Sequence, residues 1–414
     1  MSFLYNFSIA AYTLLIRVAA LFNAKARLWV EGRRGWKKDL ANAFGSNDKI
    51  AWFHAASLGE FEQGRPVIEA LRKSHPEYKI LLSFFSPSGY TQKKDYTFAD
   101  KVIYLPADCP GNAKYFIKMV NPNIAVFIKY EFWFNYMTEL SKKKIPTVFL
   151  SVLFRKDQIF FRRYGGWFRK KIKSADHFFV QDEASAQMIK AIGIDQYTIS
   201  GDTRFDRVAD ILKTPAENKE IERFCDGHKV LLAGSTWLPD EKVLSGLLAR
   251  FPDLKFIIAP HEVKEERIKE LINALNIPVA RYTKDKPETW NEKQILIIDT
   301  IGVLSSIYRY ADIAYIGGAF GAGLHNIQEP AVNGMPVIFG PKYQRFREAI
   351  DLVHSGGAFA ISTENELISV VGDLLSDDAQ YQSACNISRQ YMLDNIGATE
   401  KIMAGIEGFL KSEI

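Results

Sequence analysis

The sequence predicts an α/β protein built from two doubly wound, Rossmann-like domains facing a cleft, preceded by a membrane-associated helix. Three observations carry that prediction. Short apolar runs of strand length recur along the chain, helical patterns lie between them, and the alternation starts afresh after a charged seam. With 414 residues there is chain enough for two cores, and 47% hydrophobic against 24% charged residues is the balance of a folded protein, not a disordered one.

The N-terminal helix comes first. FLYNFSIAAYTLLIRVAALF (3–22) is about the roughly 20 residues that cross a bilayer. Asn6, Thr13 and Arg17 fall on one stripe at helical spacing, with Leu4, Phe7, Leu14, Leu15, Val18 and Leu21 as the apolar remainder. An arginine in mid-span is costly in hydrocarbon, whereas a helix lying in the interface keeps it wet. No small-residue cleavage site follows, so the reading is an uncleaved anchor, spanning or lying flat; the plain alternative is an amphipathic helix packed on the domain. The basic residues after it place that side in the cytoplasm. Cys109, Cys225 and Cys385 are far apart and lack metal-ligand spacing, as expected of reduced thiols.

The formal charge of +5 is concentrated. Lys25 to Lys38 holds six basic residues against Glu31. Arg155 to Lys173 holds eight against Asp157, interleaved with Phe154, Phe160, Phe161, Tyr164, Trp167 and Phe168. Basic patches beside aromatics point to an anionic surface or substrate, with a solvated face as the alternative. No nucleic-acid-binding signature accompanies them.

In the first half the strands read IAWFH (50–54), KILLSF (79–84), KVIYL (101–105), IAVFI (124–128), TVFLS (147–151) and HFFV (177–180). In the second they read VLLAG (230–234), FIIAP (256–260), ILIID (295–299), IAYIGG (313–318) and PVIFG (336–340). Helical patterns lie at Glu62–Arg72, Ala184–Ile192, Asp240–Arg250 and Glu265–Leu275. The seam falls near 208–226, where Pro215 stands among many charges. The resulting division is 1–24 for the anchor, 25–210 and 211–395 for the two domains, and 396–414 for a terminal helix crossing back to the first, within a helical stretch of roughly 380–414. Doubly wound sheets bind ligands at the carboxyl ends of their strands.

Several motifs fall at such ends. In WFHAASLGEFEQGRP (52–66), Ser57 and Glu60 stand three apart, the spacing of a capping box. The sharper reading makes Glu60 a proton acceptor. A helix N-terminus keeps it ionised, which suits a base but lowers its basicity. GSTWLPDE (234–241) follows a strand and opens a helix, so Gly234, Ser235 and Thr236 offer donors to a phosphate, or simply cap. APHEVKEER (259–267) ends a strand in Pro260 and His261; the histidine contacts a nucleotide or is structural, and no second ligand at metal spacing accompanies it. Between 299 and 341, Gly317, Gly318, Gly321 and Gly323 let backbone approach a ligand, and His325, Asn326 and Glu329 precede Pro330 at a helix start. A carboxylate there is poised to accept from a ribose diol.

In order along nearly the whole chain, the basic-flanked anchor, HAASLGE, IKYEFW (128–133), GDTRFD (201–206), GSTW, APH, DTIG and GLHNIQEPA (323–331) resemble the Kdo (3-deoxy-D-manno-octulosonic acid) transferases of lipopolysaccharide synthesis. The resemblance implies a B-type glycosyltransferase fold, an acceptor-binding first domain and a nucleotide-sugar-binding second domain. It implies Glu60 as general base, and Glu131 and Arg204 as stabilisers of the transition state. Ser235 and Thr236, Pro260–His261, Ile301, Gly302 and Val303, and Asn326, Ile327, Gln328 and Glu329 would hold the cytidine monophosphate. The chain departs from the family with Arg204 for lysine, Val303 for glutamate, Gly323–Leu324 for paired glycines, and SVLFR (151–155) for an Arg-Leu-Ser stretch.

The implied reaction is inverting transfer of Kdo from CMP-Kdo to a lipid A precursor, with no metal, no cofactor and no nucleic acid, at the cytoplasmic face of the inner membrane. Arg162, Arg163, Lys170 and Lys171 would meet the acceptor or the membrane. The rivals are a lipid glycosyltransferase of the same fold using a UDP-sugar, and a non-catalytic membrane-surface binding protein.

Overall fold

The computed structural model describes residues 1–213 and 217–411; Pro215 of the expected seam and the end of the expected terminal helix (412–414) lie outside the described residues. The chain forms two compact units, Met1–Asp206 with Ile396–Ile414, and Arg207–Asn395.

Unit 1 is built on β1 (Lys49–Ala55), β2 (Tyr78–Phe84), β3 (Lys101–Tyr104), β4 (Ile124–Ile128), β5 (Thr147–Val152), β6 (His177–Val180) and β7 (Tyr197–Ile199). They form one parallel sheet in the order β3-β2-β1-β4-β5-β6-β7. Successive strand residues face opposite ways, so the apolar runs feed two layers of core. Trp52, Leu81, Phe127 and Phe149 join one layer; Phe53, Leu82, Val126 and Val148 join the other. Unit 2 repeats the plan with β8 (Val230–Thr236), β9 (Lys255–Pro260), β10 (Val279–Arg281), β11 (Ile295–Ile297), β12 (Ile313–Ile316), β13 (Val337–Phe339) and β14 (Ala358–Ala360), in the order β10-β11-β9-β8-β12-β13-β14.

All eleven expected strands form. The three that the sequence pattern does not reveal, β7, β10 and β14, are three-residue edge strands. An edge strand is half solvated and needs no unbroken apolar run, so it carries little signal.

The N-terminal helix Ser2–Ala19 is docked on unit 1 through polar residues of its first turns, while Arg17 at the far end of the polar stripe stays exposed. Asn6 Oδ1 accepts from Asn135 Nδ2 at 2.9 Å, Ser2 Oγ accepts from Trp167 Nε1 at 3.1 Å, and the Tyr5 hydroxyl donates to Asp108. Of the expected stripe, Asn6 is thus turned inward, Thr13 donates to Ile9 O within the helix at 2.8 Å and Arg17 stays exposed, while the apolar residues point out: Phe3 is 79% exposed and Leu15 67%.

The expected helical stretch of roughly 380–414 is two helices, Asp378–Asp394 in unit 2 and Ala398–Lys411 in unit 1, broken at Gly397, whose φ of 105° suits glycine. Ile402, Met403 and Ile406 bury against unit 1 beside Phe61 and Phe179. Asp206, at the end of the GDTRFD segment, fixes the start of that last helix: its carboxylate accepts from Gly397 N at 2.5 Å, Thr399 N at 2.6 Å and Thr399 Oγ1 at 2.6 Å. Asp206→Ala leaves these donors unpaired and is expected to cost unit 1 about 1–3 kcal/mol, read as a lower urea midpoint with faster amide exchange over 398–410. An unchanged midpoint would show that Asp206 is dispensable for the docking of this helix.

Candidate functional site

In each sheet the chain reverses its direction of winding at one place, and there the connections leave on opposite sides and open a crevice at the carboxyl ends. In unit 1 this is the β1/β4 junction. His54 lies near the end of β1. Glu60 follows in the first turn of the helix Leu58–Ser74, and Glu131 and Trp133 stand in the turn after β4, entered through Lys129 at φ 63°.

Both readings of Glu60 hold some of the truth. Its Oε2 accepts from Ala56 N at 2.6 Å and Ser57 N at 3.2 Å, the carboxylate half of a capping box. The carboxyl is nevertheless not held ionised by the helix start. Burial, and then the charge of Glu131, push its pKa up to about 7. Burial likewise raises Glu131 to about 7, against a lowering hydrogen bond from Trp133. The expected loss of basicity is therefore reversed, because desolvation outweighs the helix dipole. Two carboxyls that oppose each other's ionisation titrate as a pair.

Trp133 and His54 orient this pair. Trp133 Nε1, which can only donate, lies 2.9 Å from His54 Nε2 and 3.0 Å from Glu131 Oε2. Nε2 of the imidazole is therefore an acceptor, and the proton sits on Nδ1, which faces the Ser83 carbonyl at 3.1 Å and its Oγ at 2.9 Å. Full burial pushes the His54 pKa down to about 3, so the ring is neutral. Its 3.7 Å approach to Glu131 is then not an ion pair.

Arg204 opens the helix Thr203–Lys213 and gives Nε and Nη2 to Asp202 Oδ2 at 2.9 and 2.7 Å. Its neighbour Thr203 donates to the Gln63 carbonyl and accepts from Ser151 Oγ at 3.1 Å, which ties the Arg204 segment to the helix that carries Glu60. Asp202, buried to 8% exposure, is a partner that the motif alone does not single out.

The basic run needs correction. Arg162, Arg163 and Lys170 are exposed, but Lys171 is half-buried and donates to Thr138 Oγ1 at 2.7 Å. Phe154 and Phe160 are core residues, and Phe161, Trp167 and Phe168 pack against the same core. Of the aromatics interleaved with the charges, only Tyr164 is largely exposed, at 69%. These rings help hold the domain together.

In unit 2 the reversal lies at β8/β12; the candidate nucleotide contacts stand at the ends of β8, β9 and β12, with Ile301–Val303 one strand further out, after β11. Ser235 stands at φ 54° where the β8/β9 register shifts. Thr236 does not offer its hydroxyl at the helix start as expected: it is buried and donates to Glu241 Oε1 at 3.0 Å, while Arg267 holds the other oxygen. After β9, buried Pro260 leads to exposed His261, which lies between Trp237 (ring centroids 4.6 Å, planes 26°) and His325 (4.5 Å, 21°). Trp237 Nε1 donates to His325 Nε2 at 3.0 Å. After β11, Ile301 is 83% exposed, Gly302 turns at φ 92°, and Val303 caps a short helix. After β12, Asn326 Nδ2 lies 3.3 Å from Glu329 Oε1, and its Oδ1 accepts from Gln328 N at 3.0 Å. Ile327 and Gln328 are buried; among the described residues the Gln328 amide has no hydrogen-bond partner at either atom.

Asp240 organises this end of unit 2. Its carboxylate accepts from Trp237 N at 2.9 Å, the Tyr315 hydroxyl at 2.9 Å and Gly318 N at 3.0 Å, joining the β8 turn to the glycine loop. Among the described residues no cluster of three or more His, Cys, Asp or Glu side chains is placed to hold a metal.

The profile of the 3-deoxy-D-manno-octulosonic-acid transferases matches residues 30–207. A 3-deoxy-D-manno-octulosonic acid transferase of Haemophilus influenzae is 27% identical over 88% of this chain and 88% of its own. One from Chlamydophila psittaci is 25% identical over 83% and 80%. A UDP-GlcNAc 2-epimerase of Neisseria meningitidis, solved with UDP-GlcNAc, shares the fold at 16% identity, with a TM-score of 0.62 over 87% of this chain and all of that one. The chain is therefore a glycosyltransferase of the B-type fold. It carries the Kdo transferase domain, and Kdo transferases are its relatives over most of its length.

The carboxyl pair makes stability depend on pH. The folded chain keeps protons on Glu60 and Glu131 up to about pH 7, whereas an ordinary glutamate releases its proton near 4.5. Stability from this source is full below about 4.5 and lost as pH rises through 7. The unfolding free energy is expected to fall by on the order of 1–3 kcal/mol between those limits, and by less in Glu131→Gln, which cannot ionise. Equal slopes for the two proteins in urea titrations would contradict this account.

Proposed function

We propose that the protein is an inverting glycosyltransferase of lipopolysaccharide biosynthesis. It moves Kdo from CMP-Kdo to a lipid A precursor at the cytoplasmic face of the inner membrane, with Glu60 as general base. The observation that carries this reading is a buried carboxyl poised near pH 7 at the sheet reversal of a Kdo transferase domain.

The bond between Kdo and phosphate breaks through an oxocarbenium-like state, as in related glycosyl chemistry, while an acceptor hydroxyl attacks from the opposite face. The attacking hydroxyl loses its proton as the bond forms. A base poised near the working pH accepts it most effectively. Glu131, when ionised, stabilises the positive charge growing on the sugar, and Trp133 holds it in place. Arg204 supplies positive charge for the departing cytidylate, offset in part by Asp202. A single displacement inverts the anomeric carbon.

Unit 2 is the nucleotide-binding half of this proposal. The Trp237–His261–His325 stack offers a flat ring face, and Asn326 with Glu329 offers polar partners to a ribose diol. The reaction as written needs neither metal nor cofactor beyond the donor, and no nucleic acid.

Incubation with CMP-Kdo and a tetra-acyl lipid A precursor, followed by mass spectrometry of the lipid, tests the activity. Glu60→Gln preserves the cap and removes the base, so transfer is expected to fall about 10²–10⁴-fold with CMP affinity unchanged. In the wild type, kcat/KM should rise with pH through about 7 as the base loses its proton. Full transfer by Glu60→Gln would reject the base. Thermal protection by UDP but not CMP would favour the UDP-sugar rival, and absence of transfer from any nucleotide sugar would favour the binding protein.

A further inference from the structure

A cavity of about 960 Å³ lies in unit 1 between the N-terminal helix, the helix Ala24–Glu31 with the segment after it, and the loop following β3. Its lining includes four arginines, Arg17, Arg27, Arg33 and Arg34, against one carboxylate, Glu31. Arg33 is half-buried and gives its donors to the carbonyls of Leu105, Trp29 and Phe85, with no acidic partner among the described residues. Its guanidinium stacks 3.8 Å over the Trp29 ring, and burial lowers its pKa to about 9. A cation held this way leaves an uncompensated positive field in the cavity. The guanidinium groups of Arg17 and Arg34 make no hydrogen bond or ion pair among the described residues, and that of Arg27 gives only Nε, to Ala20 O at 3.3 Å.

Trp29 lines the cavity at 6% exposure, and its indole Nε1 is buried with no hydrogen-bond acceptor among the described residues. A second observation bears on the ligand independently. Apolar residues Leu14 and Leu21 line the same cavity and are 62% and 69% exposed, so its wall continues into the outward apolar face of the N-terminal helix. Trp29 also packs on Phe85 (5.7 Å, 70°), and Phe85 on Trp133 (4.7 Å, 34°), the residue that holds Glu131. One aromatic layer thus joins the cavity wall to the carboxyl pair.

We infer that this cavity binds a phosphate of an acylated, phosphorylated sugar lipid, with Arg17, Arg27 and Arg34 on the phosphate and the acyl chains along the outward face of the N-terminal helix. The inference rests on the proposed function in taking that lipid to be the acceptor. An anion with a long apolar tail matches the charge excess and the apolar continuation together; a soluble anion would leave the second of these without a purpose.

The test is equilibrium binding, without donor, of a tetra-acyl glucosamine disaccharide bearing two phosphates, and of the same lipid with its phosphates removed, both in neutral detergent micelles. In full-length protein carrying Arg17→Gln, Arg27→Gln and Arg34→Gln, Kd for the phosphorylated lipid is expected to rise about tenfold or more, since charge-assisted contacts are lost. Kd for the dephosphorylated lipid and for CMP should not change. Ala10→Trp, which places bulk in the cavity wall, should weaken the phosphorylated lipid without removing a charge. An equal loss for both lipids, no loss in either variant, or displacement by phosphatidylglycerol at equal affinity would overturn the inference. Because the readout needs no sugar transfer, phosphate-dependent binding without activity would sink the proposed function and leave the site standing.

Discussion

Unit 1 turns on the burial of two carboxyls around a neutral imidazole. Glu60 and Glu131 come from different connections, and the parallel pairing of β1 with β4 brings those connections together. Burying both is unfavourable for the ionised forms, so each takes a proton more readily than in water. The arrangement persists because its polar atoms are satisfied: two backbone amides for Glu60, the indole of Trp133 for Glu131, and Ser83 for His54. Replacing the neutral ring by a charged one would reverse the local field. Full burial prevents that, and the tautomer that Trp133 imposes leaves His54 no proton to offer Glu131.

Unit 2 solves a related problem with a different device. Asp240 is 1% exposed, and it spends its charge on structure, accepting from two backbone amides and a tyrosine hydroxyl. That fixes the turn after β8 against the glycine loop after β12. At Gly317 a Cβ would come within 2.4 Å of the Ser235 carbonyl, so the close approach admits only glycine. The rings of Trp237, His261 and His325, drawn from the ends of three strands, stack above this base. A rigid floor with a flat aromatic face is an economical way to receive a planar heterocycle, because little side-chain freedom remains to be lost on binding.

What could be read from the sequence divides along physical lines. Central strands were legible because burial on both faces demands unbroken apolar runs, and the edge strand β3 was legible through its own apolar run; the three-residue edge strands β7, β10 and β14 were not, since nothing demands such a run there. Glu60 was legible as a capping residue and, through the ordered motifs, as an acid of interest. Its raised pKa was not, because that depends on Glu131, which is distant in sequence and adjacent only in the folded sheet. His54 and Trp133 stood inside quoted motifs, yet their mutual hydrogen bond is a tertiary fact. Thr236 misled for the same reason: a hydroxyl at a helix start is ordinarily a cap or an anion donor, and here Glu241, held by Arg267, takes it. The aromatics among the basic residues of 155–173 misled because composition does not say which way a ring points.

The N-terminal helix shows how one polar stripe can be divided between protein and water. Arg17 stays exposed, as the cost of burying it demands, while Asn6 and its neighbours in the first turns face the protein. Unit 1 supplies polar partners of its own, Asp108, Asn135 and Trp167, which hold Tyr5, Asn6 and Ser2. Once those contacts are made, the apolar residues have no protein to cover them. A run of Phe, Leu and Val at 52–79% exposure is unfavourable in water by roughly 25 cal/mol per Å². A bilayer relieves that cost, and it does so without requiring the polar stripe to cross hydrocarbon. A helix that spanned the membrane would have to abandon its contacts with Asp108, Asn135 and Trp167 and carry Arg17 into the apolar layer. The docked contacts suit a helix that lies along an interface, its apolar face outward and the exposed Arg17 beside water or headgroups.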